Sequence, residues 1–139
     1  MKRASHRLFT LEVFIVSGPM TEKFVRKNRV VSRTIKIRSD QSLEALHRVI
    51  FDAFDREEEH MYEFQAGGKG PMDPRARRYV LPHAMNDCIT SIGPQGDVRS
   101  TTIGSLGLGV NDSFGYLFDF GDDWMHQINV LAIDSKVPP

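Results

Sequence analysis

The chain has a single cysteine, Cys88, so no disulfide can form within it. A lone thiol fits a reducing compartment and points to a cytoplasmic protein. Nothing beside Cys88 in sequence would activate it, so it is expected to be a packed, inert thiol. No apolar run approaches the roughly 18 residues of a membrane span, so no membrane partner is expected. Residues 8–16 are apolar but carry Glu12 and precede no small-residue cleavage site. They read as a strand rather than a secretory leader. Also missing are Gly-x-Ser-x-Gly, His-Glu-x-x-His, a Walker loop and a dinucleotide fingerprint. The glycines at 67, 68 and 70 and at 104, 107 and 109 have the wrong spacing for either phosphate motif. His6, His47, His60, His83 and His126 have no zinc-ligand spacing.

Net charge is also absent: 18 Lys and Arg balance 18 Asp and Glu. The balance hides a split. Residues 1–38 hold ten basic residues against two Glu, a net of +8, and the remainder carries −8. A basic segment of this kind can meet a phosphate backbone, with Arg33, Lys36 and Arg38 as the candidate nucleic-acid contacts. The plainer expectation is that basic and acidic strands neutralise one another across one sheet.

What is present is ordinary for a single globular domain of 139 residues, with 40% hydrophobic and 26% charged content. Period-two alternation marks a strand over residues 8–17, with Phe9, Leu11, Val13 and Ile15 on its apolar face. A second covers 30–38, with Val31, Ile35 and Ile37 inward and Arg33 interrupting that face. A helix follows, capped by Ser39 or Asp40, with Leu43, Leu46, Ile50 and Phe54 at helical spacing. His47 lies beside that stripe and is expected to be packed rather than to bind a ligand. The helix should stop before Glu57-Glu58-Glu59, whose charge opposes the dipole at a helix C-terminus. Residues 60–66 form a third strand, with Tyr62 and Phe64 on one face. Residues 67–100 are rich in Gly, Pro, Asp and Arg and show only a weak strand over 78–81. Residues 101–108 suit a short helix capped by Thr101 or Thr102. Two closing strands span 113–120 and 124–133. The expected fold is α+β: a mostly antiparallel sheet of about five strands, one main helix packed on it, and a β-grasp-like start.

The densest chemistry lies at the closing turn, Tyr116-Leu-Phe-Asp-Phe-Gly-Asp-Asp-Trp-Met-His-Gln-Ile128. Asp119, Asp122, Asp123 and His126 together could hold Mg or Mn and support phosphoryl chemistry, with Asp119, Asp122 and His126 as catalytic candidates. Loop parity separates this from a structural reading. A three-residue loop, 121–123, puts Phe114, Tyr116, Phe118, Phe120, Trp124, His126, Ile128 and Val130 on one face. A four-residue loop sets Asp119 against His126 but turns Gln127 and Asn129 toward the aromatic side. Burying each such amide without a partner costs about 1–3 kcal/mol. The odd loop is therefore favoured, leaving the acids to shape the turn. The Asp-Phe-Gly within this stretch is an accidental match to the kinase magnesium motif, whose other elements are missing.

Residues 118–128 resemble the signature of the plasmid pRiA4b ORF-3-like proteins. Tyr116, just ahead of it, and Phe118, Gly121 and Trp124 within it are the structural signature residues. Leu43 to Ile50 is similar to that family's helix, and His60 to Phe64 to its following strand. Ile103 to Leu106 and Phe114 to Tyr116 are similar to the approach to the signature. The likeness covers most of the chain. Met125 stands where the family usually has an acid, and Asp55-Arg56 stands where a tryptophan is expected. The resemblance implies an α+β fold and, through association with plasmids and mobile elements, a DNA-linked process. It implies no particular reaction. On these grounds the leading expectation is a small cytoplasmic binding or interaction module. A metal-dependent phosphoryl-transfer or nucleic-acid-processing enzyme is the alternative.

Overall fold

The computed structural model describes residues 7–17, 32–54, 61–67, 76–82, 95–118 and 124–135. Its strands are β1 (Leu8–Ser17), β2 (Ser32–Arg38), β3 (Tyr62–Ala66), β4 (Arg77–Val80), β5 (Gly96–Asp97), β6 (Ser113–Phe118) and β7 (Trp124–Asp134). Among the described residues there are also one helix, α1 (Leu43–Ala53), and a 3₁₀ turn (Gly104–Leu106). All seven strands join one sheet in the order β2-β1-β7-β6-β3-β4-β5. Every pairing is antiparallel except β4 with β5, which is parallel.

The expected sheet of about five antiparallel strands is thus replaced by a seven-stranded mixed sheet. The added width lies at one edge. Val80 pairs with Asp97, and Val98 N–H donates to the Val80 carbonyl at 2.8 Å. A two-residue strand leaves no periodicity to read, which is why β5 has no signal in the sequence. The β-grasp-like start is also corrected. The second neighbour of β1 is β7, and it runs antiparallel.

β1 occupies the predicted residues, and Phe9, Leu11 and Val13 on its inner face are fully buried. Its pairing with β7 slips twice. Leu131 is an extra residue on β7 between the partners of Thr10 and Leu11, and Val16 is an extra residue on β1. The two bulges cancel, so alternation is restored at each end of the ladder. Both bulged residues are large apolar side chains left exposed, Val16 at 45% and Leu131 at 46%.

The helix lies over the face carrying Ile35, Ile37, Phe64, Tyr116 and Ile128, and buries Leu43, Leu46, His47, Ile50 and Phe51. Its cap is Ser42, whose side chain accepts from Ala45 N–H at 3.0 Å, and not Ser39 or Asp40. Ser39 Oγ is engaged by Arg7 N–H, and Asp40 by the Arg38 guanidinium, so neither competes for the helix. The next free amides are also met: Leu43 N–H donates to Thr101 O and Glu44 N–H to Val98 O. The helix ends at Ala53, ahead of the glutamate run. In place of the expected short helix, residues 101–108 carry a 3₁₀ turn, Gly104–Leu106, ended by Gly107 at φ +70, with Ile103, Leu106 and Leu108 buried.

Candidate functional site

Of the acid–imidazole candidates, His126 is described, and Asp119, Gly121, Asp122 and Asp123 lie outside the described residues, as do Phe120, Cys88, His6, His60 and His83. His126 is fully buried on β7. The ladder sets Phe118 against Trp124, Tyr116 against His126 and Phe114 against Ile128. An odd number of residues, five, therefore separates the last described ladder pair, and the described aromatic side chains of the two strands share one face as expected. The register differs by two residues from that of a loop at 121–123, which would set Phe120 against Trp124 and Phe118 against His126. The residue facing His126 across the ladder is a tyrosine and not an acid.

The imidazole is placed by backbone chemistry. His126 Nδ1 lies 3.1 Å from the Tyr116 carbonyl oxygen, which can only accept, so Nδ1 carries the proton. Phe54 meets the ring edge to face, with centroids 5.6 Å apart. The Tyr116 ring is tilted against it at 5.0 Å.

A second histidine enters the same cluster from the helix. His47, also buried, shares a 2.6 Å hydrogen bond between its Nδ1 and Tyr116 Oη. Its ring stacks on Tyr62 at 3.7 Å and 4°, and Phe51 and Phe118 flank it at 5.8 and 6.0 Å. The sequence placed His47 beside the apolar stripe. It does not reveal that Tyr116 would join both histidines. The only signal was polar character at two positions whose periodicity points inward.

The far face of the sheet holds a polar group that sequence reading missed. Glu63 is buried on β3 and receives two bonds from Arg78 on β4, Nε and Nη2 each at 3.2 Å. Gln65 Nε2 donates to the same carboxylate at 2.7 Å. Alternation explains the placement, since Tyr62, Phe64 and Ala66 take the helix side and Glu63 and Gln65 the other. A carboxylate held by a forked guanidinium and an amide is a satisfied buried charge.

The basic candidates do not converge. Arg33 takes the helix side of β2: its Nε donates to the Ala53 carbonyl at 3.0 Å and its guanidinium lies 5.2 Å over the Phe54 ring. It closes the negative end of the helix, which explains why it interrupts the apolar face of its strand. Lys36 and Arg38 take the opposite side, both exposed. Arg38 forms a forked pair with Asp40 at 3.0 and 3.1 Å. That pair is local and does not cross the sheet. Among the described residues no helix is long and apolar enough to cross a membrane.

A seven-stranded sheet covered by α1, with its β6 and β7 strands paired through Phe118 and Trp124, defines the class of fold. The family model for plasmid pRiA4b ORF-3-like proteins matches residues 23–139, and the chain belongs to that family. The fold is shared with the crystal structure of a protein of unknown function from Methanosarcina mazei Go1, at a TM-score of 0.69 and 18% identity. The match covers 96% of this chain and 64% of that one, so the chain spans less than two thirds of that protein's length. Among curated proteins none matches.

Proposed function

We propose that this protein is a small cytoplasmic binding module that engages a macromolecular partner and does not transform a substrate. The observation that carries this reading is the placement of His126. It is the natural general base or ligand of the closing turn, yet it is sealed in the core with its Nδ1–H given to a backbone carbonyl. A catalytic imidazole must reach substrate or solvent. Burial beneath Phe54 and Tyr116 supports a packing role instead.

Nucleic acid, in keeping with a role in mobile DNA, is one partner class for such a module. Lys36 and Arg38 share a face and would supply the phosphate contacts, with Arg33 turned away from them. A DNA contact through these two predicts affinity that falls steeply with salt and drops further in Lys36→Gln.

The rival reading, a Mg- or Mn-dependent enzyme built on Asp119, Asp122, Asp123 and His126, is tested directly. Trp124 fluorescence is followed during Mg²⁺ and Mn²⁺ titrations of the wild type and of Asp122→Ala. A flat response in both supports the binding module. A metal-dependent change that Asp122→Ala abolishes overturns it in favour of metal chemistry.

A further inference from the structure

We propose that β2 is a strand-addition site, open for one short stretch, that takes an extended acidic segment of a partner protein. This deepens the binding-module reading and rests on it. β2 is one outer strand of the sheet. In an antiparallel pair, alternate residues turn their backbone groups toward the neighbour and away from it. Ser39 N–H donates to the Arg7 carbonyl, so with the observed register Arg33, Ile35 and Ile37 face β1. Ser32, Thr34, Lys36 and Arg38 face outward.

Both ends of that outward row are closed by the chain itself. The Ser32 carbonyl accepts from Arg33 Nη1 at 2.8 Å. At the other end Gln41 closes Arg38 twice: its Oε1 accepts from Arg38 N–H at 2.9 Å, and its own N–H donates to the Arg38 carbonyl at 3.1 Å. Between the plugs stand Thr34 and Lys36, both exposed, with two N–H and two C=O groups that have no partner among the described residues. Four backbone groups in this order match a three-residue stretch of added antiparallel strand, held at its first and last residues.

The charge of the opening selects the occupant. Lys36 stands in it with no described ion pair, and Arg38 lies next to it on the same face. A second copy of this chain, paired antiparallel about Ile35, would set Lys36 diagonally against its equivalent, an arrangement disfavoured between like charges. An acidic residue opposite Lys36 makes the favourable cross-strand pair instead. The occupant is therefore an extended peptide segment with an acidic residue flanked by β-branched ones.

The probe is a fluorescein-labelled peptide, Gly-Thr-Val-Glu-Val-Thr-Gly, with a lysine-for-glutamate counterpart, titrated against the full chain by anisotropy and by amide chemical shift. The glutamate peptide should bind and move the Thr34 and Lys36 amide resonances downfield. Thr34→Pro removes one outward N–H without touching the β1 ladder, a substitution an edge strand tolerates, and should weaken binding about tenfold or more. Lys36→Glu should reverse the preference toward the lysine peptide by about tenfold, and it serves if the proline variant fails to fold. Absence of binding by both peptides overturns the proposal, as does wild-type affinity in a folded Thr34→Pro. Binding of a DNA duplex that shifts Lys36 and Arg38 side chains but not the Thr34 amide assigns the face to nucleic acid and overturns it too. A dimer in sedimentation that Thr34→Pro abolishes assigns the edge to self-pairing, with the same consequence. Any of these with a flat metal titration sinks the edge alone, whereas an Asp122-dependent metal response sinks the binding-module reading.

Discussion

Tyr116 joins two buried histidines through two different atoms: its Oη lies 2.6 Å from His47 Nδ1, and its carbonyl oxygen accepts from His126 Nδ1 at 3.1 Å. The hydroxyl ties the helix to the sheet, and the carbonyl orients the ring on the neighbouring strand. Tyr116→Phe removes only the first of these. We expect it to lower unfolding free energy by about 1–3 kcal/mol, the cost of stranding a buried polar partner. Urea denaturation followed by Trp124 fluorescence measures this, with the midpoint falling and the slope unchanged.

Arg33 and Lys36 lie on one strand and look equivalent in sequence, but only Arg33 caps the helix. Arg33→Gln should destabilise by about 0.5–1 kcal/mol through the lost interaction with the helix end. Lys36→Gln should stay within about 0.5 kcal/mol of the wild type. Thermal unfolding of the two variants side by side separates them.

Glu63 and Arg78 meet on the far face of the sheet, where the carboxylate is buried and the guanidinium is partly exposed. Arg78→Met leaves the carboxylate with Gln65 alone among its described partners and should cost about 1.5–3 kcal/mol. The double variant Glu63→Met with Arg78→Met should recover part of that loss, because no charge is then left buried without its counter-ion. A double-mutant cycle in urea gives the coupling.

Asp97 sets the loop that caps α1. Its side chain accepts from Ser100 Oγ, Ser100 N–H and Arg99 N–H. The Ser100 hydroxyl is the main cause holding its pKa below the ordinary 3.8, with backbone amides and the Arg99 charge adding to it. A depressed folded-state pKa contributes stability above the unfolded value and loses it as pH falls through the folded one. The stability gap between wild type and Asp97→Asn should therefore be constant near neutrality and close below pH 3.8. Denaturation midpoints taken from pH 7 down to pH 2.5 check the sign.

Much of the core was legible because strand side chains alternate with period two. Phe9, Leu11 and Val13, then Tyr116, Phe118, His126 and Ile128, take the inner face that their spacing assigns. The register of the closing strands was not legible, since pairings two residues apart give the same parity. The helix cap was misassigned because Ser39, Asp40 and Ser42 are all competent, and only the contacts of Arg7 and Arg38 remove the first two. The functional candidates fared differently. Arg33 read as a fault in an apolar face, and its purpose depends on Ala53, twenty residues on. Gln41 carried no signal at all, because its work is to close a strand edge that exists only in the sheet.

The most direct test is a long-range proton–nitrogen correlation spectrum of the histidine side chains, recorded at neutral pH with and without millimolar Mg²⁺ or Mn²⁺. His126 should appear with its proton on Nδ1, and Mg²⁺ should leave both ring nitrogens unmoved. A mobile, solvent-exchanging His126 ring, or one whose nitrogens shift on Mg²⁺ addition and are broadened by Mn²⁺, would contradict a histidine committed to the core.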